Sequence, residues 1–311
     1  MIQVDGLVKR YAGFTAIHGL SFSVQKGEIV GFLGPNGAGK TTTMRILSCF
    51  MPASAGTAVV AGYDIYRESL EVRRRIGYMP ENVPLYPEMR VNEYLDFRAA
   101  LKRVPRSQRR AQVEKVSEQC GITDVSRKII GQLSKGYRQR VGLADTLVHD
   151  PELIILDEPT IGLDPNQIRQ VRELIKDLGK SHTVLLSTHI LSEVEMTCSR
   201  VIIINKGQIV ASDTPENLKR VRMGGGETVL EVKAEAESAQ RELESSTGAS
   251  RVEATPISDG YCRIVLYPKR DEDLREAAWS CVRTKGWVLR ELTRRHQTLE
   301  DVFVQITTED D

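Results

Sequence analysis

Over the first 220 residues, short apolar β-branched runs alternate with longer stretches whose apolar positions recur at helical spacing. The runs at 28–33, 153–156, 184–187 and 201–205 predict strands. Helical patterns begin near Lys40, Asn92, Ser107, Arg138, Asn166 and Leu191. Strands alternating with helices predict an α/β fold on a buried, mostly parallel sheet. From about 92 to 147 there is no strong strand signal, so this stretch reads as a helical insert, rich in Arg and Lys between Arg98 and Lys115. After Met223-Gly224-Gly225-Gly226, a flexible joint by composition, the order changes. Strands at 228–234, 251–255, 261–267 and 287–292 and helices at 237–245 and 272–283 give βαββαβ, the ferredoxin-like α+β order. A last helix is expected at about 298–306. The expected domains are therefore 1–223 and 224–311.

Charge supports this division. The chain has 311 residues and net charge +1, but residues 1–223 carry +7 and residues 224–311 carry −6. Hydrophobic residues make up 41% and charged residues 27%, which excludes a disordered, collagen-like or coiled-coil chain. No apolar run approaches the ~18 residues needed to span a bilayer, and Met1-Ile2-Gln3-Val4-Asp5 lacks a secretory leader pattern. Five scattered cysteines, with no CxxC pair, argue against a disulfide framework or zinc site. A soluble protein of the reducing cytosol is expected.

The strongest chemical signal is Gly34-Pro35-Asn36-Gly37-Ala38-Gly39-Lys40-Thr41-Thr42, which fits GxxxxGK[ST] between a strand and a helix. Glycines let backbone N–H groups curl around an anion, and the helix N-terminus adds its positive end. Lys40 can reach the β- and γ-phosphates of a nucleotide, and the Thr41 hydroxyl can hold Mg²⁺. The apolar strand Leu153-Ile154-Ile155-Leu156 delivers Asp157 to its carboxyl end, where α/β sheets bind ligands. Asp157 would orient the Mg²⁺ shell, and Glu158 could act as general base on the attacking water.

Three further stretches lie around that strand: Gln132-Leu133-Ser134-Lys135-Gly136-Tyr137-Arg138-Gln139-Arg140, Glu158-Pro159-Thr160-Ile161-Gly162-Leu163-Asp164-Pro165 and Leu186-Ser187-Thr188-His189. Taken singly these are ordinary. Ser134 would be a helix N-cap and His189 a strand-end histidine. Taken in order over residues 1–220, the sequence resembles the ATPase subunit of an ABC transporter. The resemblance implies a P-loop domain with a mostly parallel core, an N-terminal antiparallel β part and a helical insert. It implies that Tyr11 stacks on adenine. Leu133, Ser134, Lys135, Gly136 and Tyr137 would form the signature loop that binds the γ-phosphate of the opposite subunit. Gly162, Leu163 and Asp164 would cross the dimer interface, and His189 would contact the γ-phosphate. The implied machine is a head-to-tail homodimer on two Mg-ATP that drives a separate membrane permease from the inner face of the membrane.

Two departures stand out. Lys135 and Tyr137 replace a glycine and a glutamine of the usual signature, and Glu81 in Tyr78-Met79-Pro80-Glu81 replaces a glutamine that touches Mg²⁺ and the permease. Glu81 is thus a candidate metal ligand beside Thr41 and Asp157. Together with Leu163-Asp164-Pro165-Asn166-Gln167 and Thr298-Leu299-Glu300-Asp301-Val302-Phe303, they resemble ABC-2-type export ATPases, closest to those named for gliding motility. Pro84-Leu85-Tyr86-Pro87 is the expected permease contact.

The alternative is a soluble ABC ATPase acting on ribosomes or DNA, but the chain has one phosphate loop and no long insert. The basic run Arg98–Lys115 reads as a solvated helix pair beside anionic lipid rather than a nucleic-acid site, given 5% aromatic residues. Arg73-Arg74-Arg75 reads as a charged helix face. The C-terminal domain shows no nucleophile, base or metal constellation. Cys262, Trp287 and His296 read as packing or surface residues, and a regulatory or dimer-stabilising role is expected.

Overall fold

The computed structural model describes residues 1–221, 226–269, 272–295 and Phe303. It divides into two compact units, Met1–Pro215 and Glu216–Asp311. Residues 223–225 of the glycine joint, His296 and, apart from Phe303, the last expected helix lie outside the described residues.

The first unit begins with β1 (Ile2–Tyr11), β2 (Phe14–Val24), β3 (Ile29–Leu33), α1 (Lys40–Leu47), β4 (Ala55–Val60) and β5 (Tyr63–Asp64). Next come α2 (Ser69–Arg75), β6 (Ile76–Met79), α3 (Val91–Leu101), α4 (Arg106–Gln119) and α5 (Lys135–Leu147). It closes with β7 (Leu153–Asp157), α6 (Pro165–Gly179), β8 (Thr183–Thr188), α7 (Leu191–Thr197), β9 (Arg200–Asn205), β10 (Gln208–Asp213) and α8 (Pro215–Val221), whose first residue ends the unit.

The central sheet has the order β10-β9-β3-β8-β7-β6, parallel except for the edge strand β10. Every residue of β7 and β8 is buried, as a parallel sheet covered on both faces requires. The antiparallel sheet β2-β1-β4-β5 packs its apolar side onto the same core, through Ile2, Leu7, Ile17 and Val60 beside Phe32.

The insert is helical, as expected, but its basic run is not a uniform solvent face. Arg98 and Lys102 turn inward to Asp145 of α5, and Tyr94, fully buried, brings its hydroxyl to Asp145 Oδ2 at 3.3 Å. The expectation holds for Arg103, Arg106, Arg110 and Lys115, which are exposed, and fails at these two because the spacing of charges does not reveal a buried acid 47 residues from Arg98. Helix α5 starts at Lys135, not near Arg138, so three residues read as loop form its first turn.

In the second unit, β11 (Glu227–Lys233), α9 (Ala236–Thr247), β12 (Arg251–Pro256), β13 (Tyr261–Tyr267), α10 (Arg275–Lys285) and β14 (Val288–Arg295) follow the expected βαββαβ order. Their sheet, β12-β13-β11-β14, is antiparallel throughout, which is the ferredoxin-like arrangement. Leu230, Val232, Ile264 and Leu266 of the strands pack with Leu243 and Ala278 of the helices; Cys262 is buried there and Trp287 packs against the cluster.

Helix and sheet approach closely where Gly77 of β6 meets Thr146 of α5, since a Cβ on Gly77 would collide with the Thr146 carbonyl oxygen. Backbone cannot yield as a side chain does, so Gly77→Ala is expected to destabilise the first unit by about 1–3 kcal/mol. Urea unfolding of parent and variant checks this, with equal midpoints as the contrary result.

Candidate functional site

Strand β3 ends at Leu33, opposite Thr188 of β8, and Asp157 of β7 stands opposite Ser187. Three strand ends therefore open on one edge, and the loops leaving them build the site. After β3 the chain turns through Gly37 and Gly39, at φ 82° and 104°, and enters α1 at Lys40. Gly39 is required twice over, because a Cβ there would also stand 2.8 Å from the Ala16 carbonyl oxygen of β2. Lys40 is only 6% exposed. Its Nζ donates to the Gly34 and Pro35 carbonyls at 2.8 and 3.2 Å and faces Glu158 Oε1 at 3.4 Å.

Asp157 is fully buried. Its Oδ1 accepts from Ser187 Oγ at 2.6 Å and Thr41 Oγ1 at 3.2 Å, while Oδ2 is buried without a partner. Burial pushes this carboxyl above the ordinary aspartate range, the Ser187 and Thr41 hydroxyls oppose the shift, and Glu158 and Glu81 add to it. A buried, unpartnered carboxylate oxygen beside a threonine hydroxyl fits a hard divalent cation whose other ligands are phosphate and water.

Glu158 takes a left-handed backbone, φ 49°. Its N–H reaches both the carbonyl and the hydroxyl oxygen of Ser187 at 3.1 Å. This holds a conformation that costs a non-glycine residue about 1–3 kcal/mol. The turn puts Oε2 2.9 Å from His189 Nδ1. That nitrogen must carry the proton to meet a carboxylate, leaving Nε2 to accept a proton or, once charged, to donate one.

The three loops enclose a cavity of about 540 Å³ lined by Tyr11, Asn36, Gly37, Gly39, Lys40, Thr41, Thr42, Glu81, Glu158 and His189. Gly34, Pro35 and Ala38 stand behind this lining, with Gly34 packed on Ile204. Phe14, Ala16 and Ile161 also line the cavity and were not anticipated. Phe14 stacks on Tyr11 with ring centroids 5.3 Å apart and planes 22° from parallel, while Lys9 Nζ lies 5.4 Å over the Tyr11 ring. Two aromatics bracketing Ala12-Gly13 were the available signal.

The residues of 133–137 do not line this cavity. Leu133 is buried, Ser134 caps α5 by accepting from the Tyr137 N–H, and the Tyr137 hydroxyl donates to Asp124 at 2.7 Å. Gly136 lies under the Gln167 side chain, and Lys135 Nζ lies over Gly162, whose φ is 68°. Asp164 caps α6, its Oδ1 accepting from Gln167 N–H at 3.0 Å. The structure thus joins the phosphate loop, Glu158 and His189 in one cavity, with Asp157 fully buried behind Thr41. The 133–137 turn and the 162–164 loop meet each other apart from that cavity.

Comparison with known proteins agrees with this geometry. The sequence profile of the family described as "ABC transporter" matches residues 17–161. A daunorubicin resistance ATP-binding protein, DrrA3 of Streptomyces coeruleorubidus, is 33% identical over 99% of this chain and 96% of its own. The linearmycin resistance ATP-binding protein LnrL of Bacillus subtilis is 35% identical over 75% of this chain and 74% of its own. Among solved structures, CbiO1 of Clostridium perfringens, part of the ABC transporter complex CbiONQ, is 27% identical. It superposes with a TM-score of 0.64 over 70% of this chain and 89% of its own. The chain belongs to the ATP-binding proteins of ABC transporters and is an ATPase of that family.

Because the folded-state pKa of Asp157 is raised, its ionised form costs stability above that pKa, and the cost disappears below the unfolded-state value. Asp157→Asn keeps an acceptor for Ser187 and Thr41. It is expected to raise the melting temperature of the nucleotide-free chain at neutral pH, with a gain that fades toward pH ~4, and to abolish ATP turnover. Differential scanning calorimetry across pH reads the first effect and phosphate release the second.

Proposed function

We propose that this chain is the ATP-hydrolysing subunit of an ABC-2-type exporter, that two copies close head to tail on two Mg-ATP, and that closure drives a separate membrane permease. The carrying observation is the separation of the 133–137 turn from the cavity lined by Lys40, Thr41, Glu158 and His189. A γ-phosphate on Lys40 would be met from one side only, and Ser134 at the start of α5 offers a second anion cap that another copy can supply.

In this reading Tyr11 and Phe14 hold the adenine, and Gly34 to Thr42 wrap the phosphates. Thr41, Asp157 and Glu81 hold Mg²⁺, which neutralises phosphate charge. Glu158 takes the proton of the attacking water. Its contact with His189 lets the imidazole orient the carboxylate and place a donor toward the γ-phosphate. The Gly162 to Asp164 loop, touching Lys135, relates the two caps. No helix among the described residues is long and apolar enough to cross a membrane. In this reading the permease is a separate partner and the chain works at the cytoplasmic face. Tyr86, 43% exposed on Tyr94 and Phe97, offers that partner an aromatic foothold. The names of the relatives favour a cargo of the resistance-compound kind.

Glu158→Gln removes the base while keeping the fold, so it is expected to form Mg-ATP-dependent dimers on sizing and to lose at least about a hundredfold in turnover. A variant that binds ATP yet stays monomeric would overturn the two-copy reading. Glu81→Ala is expected to shift the Mg²⁺ dependence of turnover to higher concentration. An unchanged Mg²⁺ titration removes Glu81 from the metal site.

A further inference from the structure

Arg98 of α3 and Lys102, the residue that caps its C-terminus, stand one helical turn apart and share a single carboxylate. Arg98 Nε stands 2.8 Å and Lys102 Nζ 3.7 Å from Asp145 Oδ1, and Lys102 also donates to the Asp145 carbonyl at 2.9 Å. The three side chains are 28%, 20% and 10% exposed, so one positive charge is left over in a largely dehydrated place. Burial accordingly pushes the Lys102 ammonium down to about 8.

That surplus charge lines a cavity of about 310 Å³ at the junction of the insert with the sheet edge. Arg74 at the end of α2, Arg103 in the α3–α4 turn, Gln112 of α4 and His149 after α5 line it too. Gln112 Nε2 and His149 Nδ1 are buried without a partner. His149 Nε2 lies 2.9 Å from the Ile76 carbonyl, which can only accept, so Nε2 carries the proton and Nδ1 is an unused acceptor. Burial and the charge of Lys102 push this imidazole down to about 4. The lining carboxylate, Asp150, is engaged by Lys115 at 3.3 Å. Glu71 is shared between Arg74 and Arg75.

We propose that this cavity is a phosphoryl-binding site, separate from the nucleotide pocket, in which Arg74, Lys102 and Arg103 grip a phosphate group and Gln112 donates to it. A phosphate group supplies the missing anion for the Asp145 cluster, and a P–O–H can donate to His149 Nδ1. Lys102, Arg103 and Gln112 belong to the insert, whereas Arg74 and His149 flank β6, so the ligand ties the insert to the sheet edge. Free phosphate compounds and anionic lipid headgroups share this chemistry.

The test uses the full chain with its nucleotide pocket saturated by Mg-ADP. Calorimetric titration with inorganic phosphate is run beside co-sedimentation with phosphatidylcholine vesicles with and without phosphatidic acid. The parent is expected to bind at least one probe, and Arg103→Glu and Arg74→Gln to weaken that binding about tenfold or more while keeping the parent's circular dichroism and Mg-ADP affinity. Phosphate binding without vesicle binding assigns a free ligand, and vesicle binding alone, lost in Arg103→Glu, assigns a headgroup. Binding of neither probe, or binding that both variants leave unchanged, overturns the proposal without touching the Mg-ATP reading.

Discussion

The site depends on the register of three parallel strands. With Leu33 beside Thr188 and Asp157 beside Ser187, the Ser187 hydroxyl donates to Asp157 Oδ1 and accepts from the Glu158 N–H. One side chain thereby fixes both acids, the first on its strand and the second in a left-handed turn. A one-residue slip of β8 would send Ser187 to the other face and leave both acids unsupported. The strands are too uniformly apolar for an alternating pattern to set this register, so the polar residues at their carboxyl ends carry more of that specification than the interior does.

Around that register the charges form a chain. Lys40 spreads its ammonium over two carbonyls and Glu158, and Glu158 divides its oxygens between Lys40 and His189. Buried ion pairs of this kind contribute little net stability, yet removing one partner costs about 3–5 kcal/mol because the other is stranded. Asp157 adds a raised carboxyl with one oxygen unmatched. The fold thus concentrates polar groups that a stable core would avoid, and it does so where a polyanion and a cation would satisfy them.

The parts of this arrangement that were legible in the sequence are those built by contiguous residues. The glycine-rich turn, the acids ending β7 and the histidine ending β8 each sit within a few residues of the strand that presents them. The rest depends on distant pairing. Phe14 joins the cavity only because β1 and β2 form a hairpin whose turn faces the phosphate loop. The inward turn of Arg98 and Lys102 needs Asp145 on another helix. The first turn of α5 was read as loop because Gly136 is a poor helix former, a preference overridden once Ser134 caps the helix and Gln167 covers the glycine.

That first turn also bears on the anion cap proposed for the loop. The N–H groups of Lys135 and Gly136 precede any intrahelical acceptor, and Arg138 and Tyr137 take the Ser134 carbonyl and hydroxyl oxygens. The two bulky departures point elsewhere, Lys135 across Gly162 and Tyr137 to Asp124. Neither side chain takes up those N–H groups, although the Gln167 side chain lies over Gly136. Lys135 adds a cation beside the helix start, tethered to the loop that leads to Asp164. Lys135 and Tyr137 are therefore compatible with the proposed anion cap, because such a cap would rest on the backbone and its dipole rather than on those side chains.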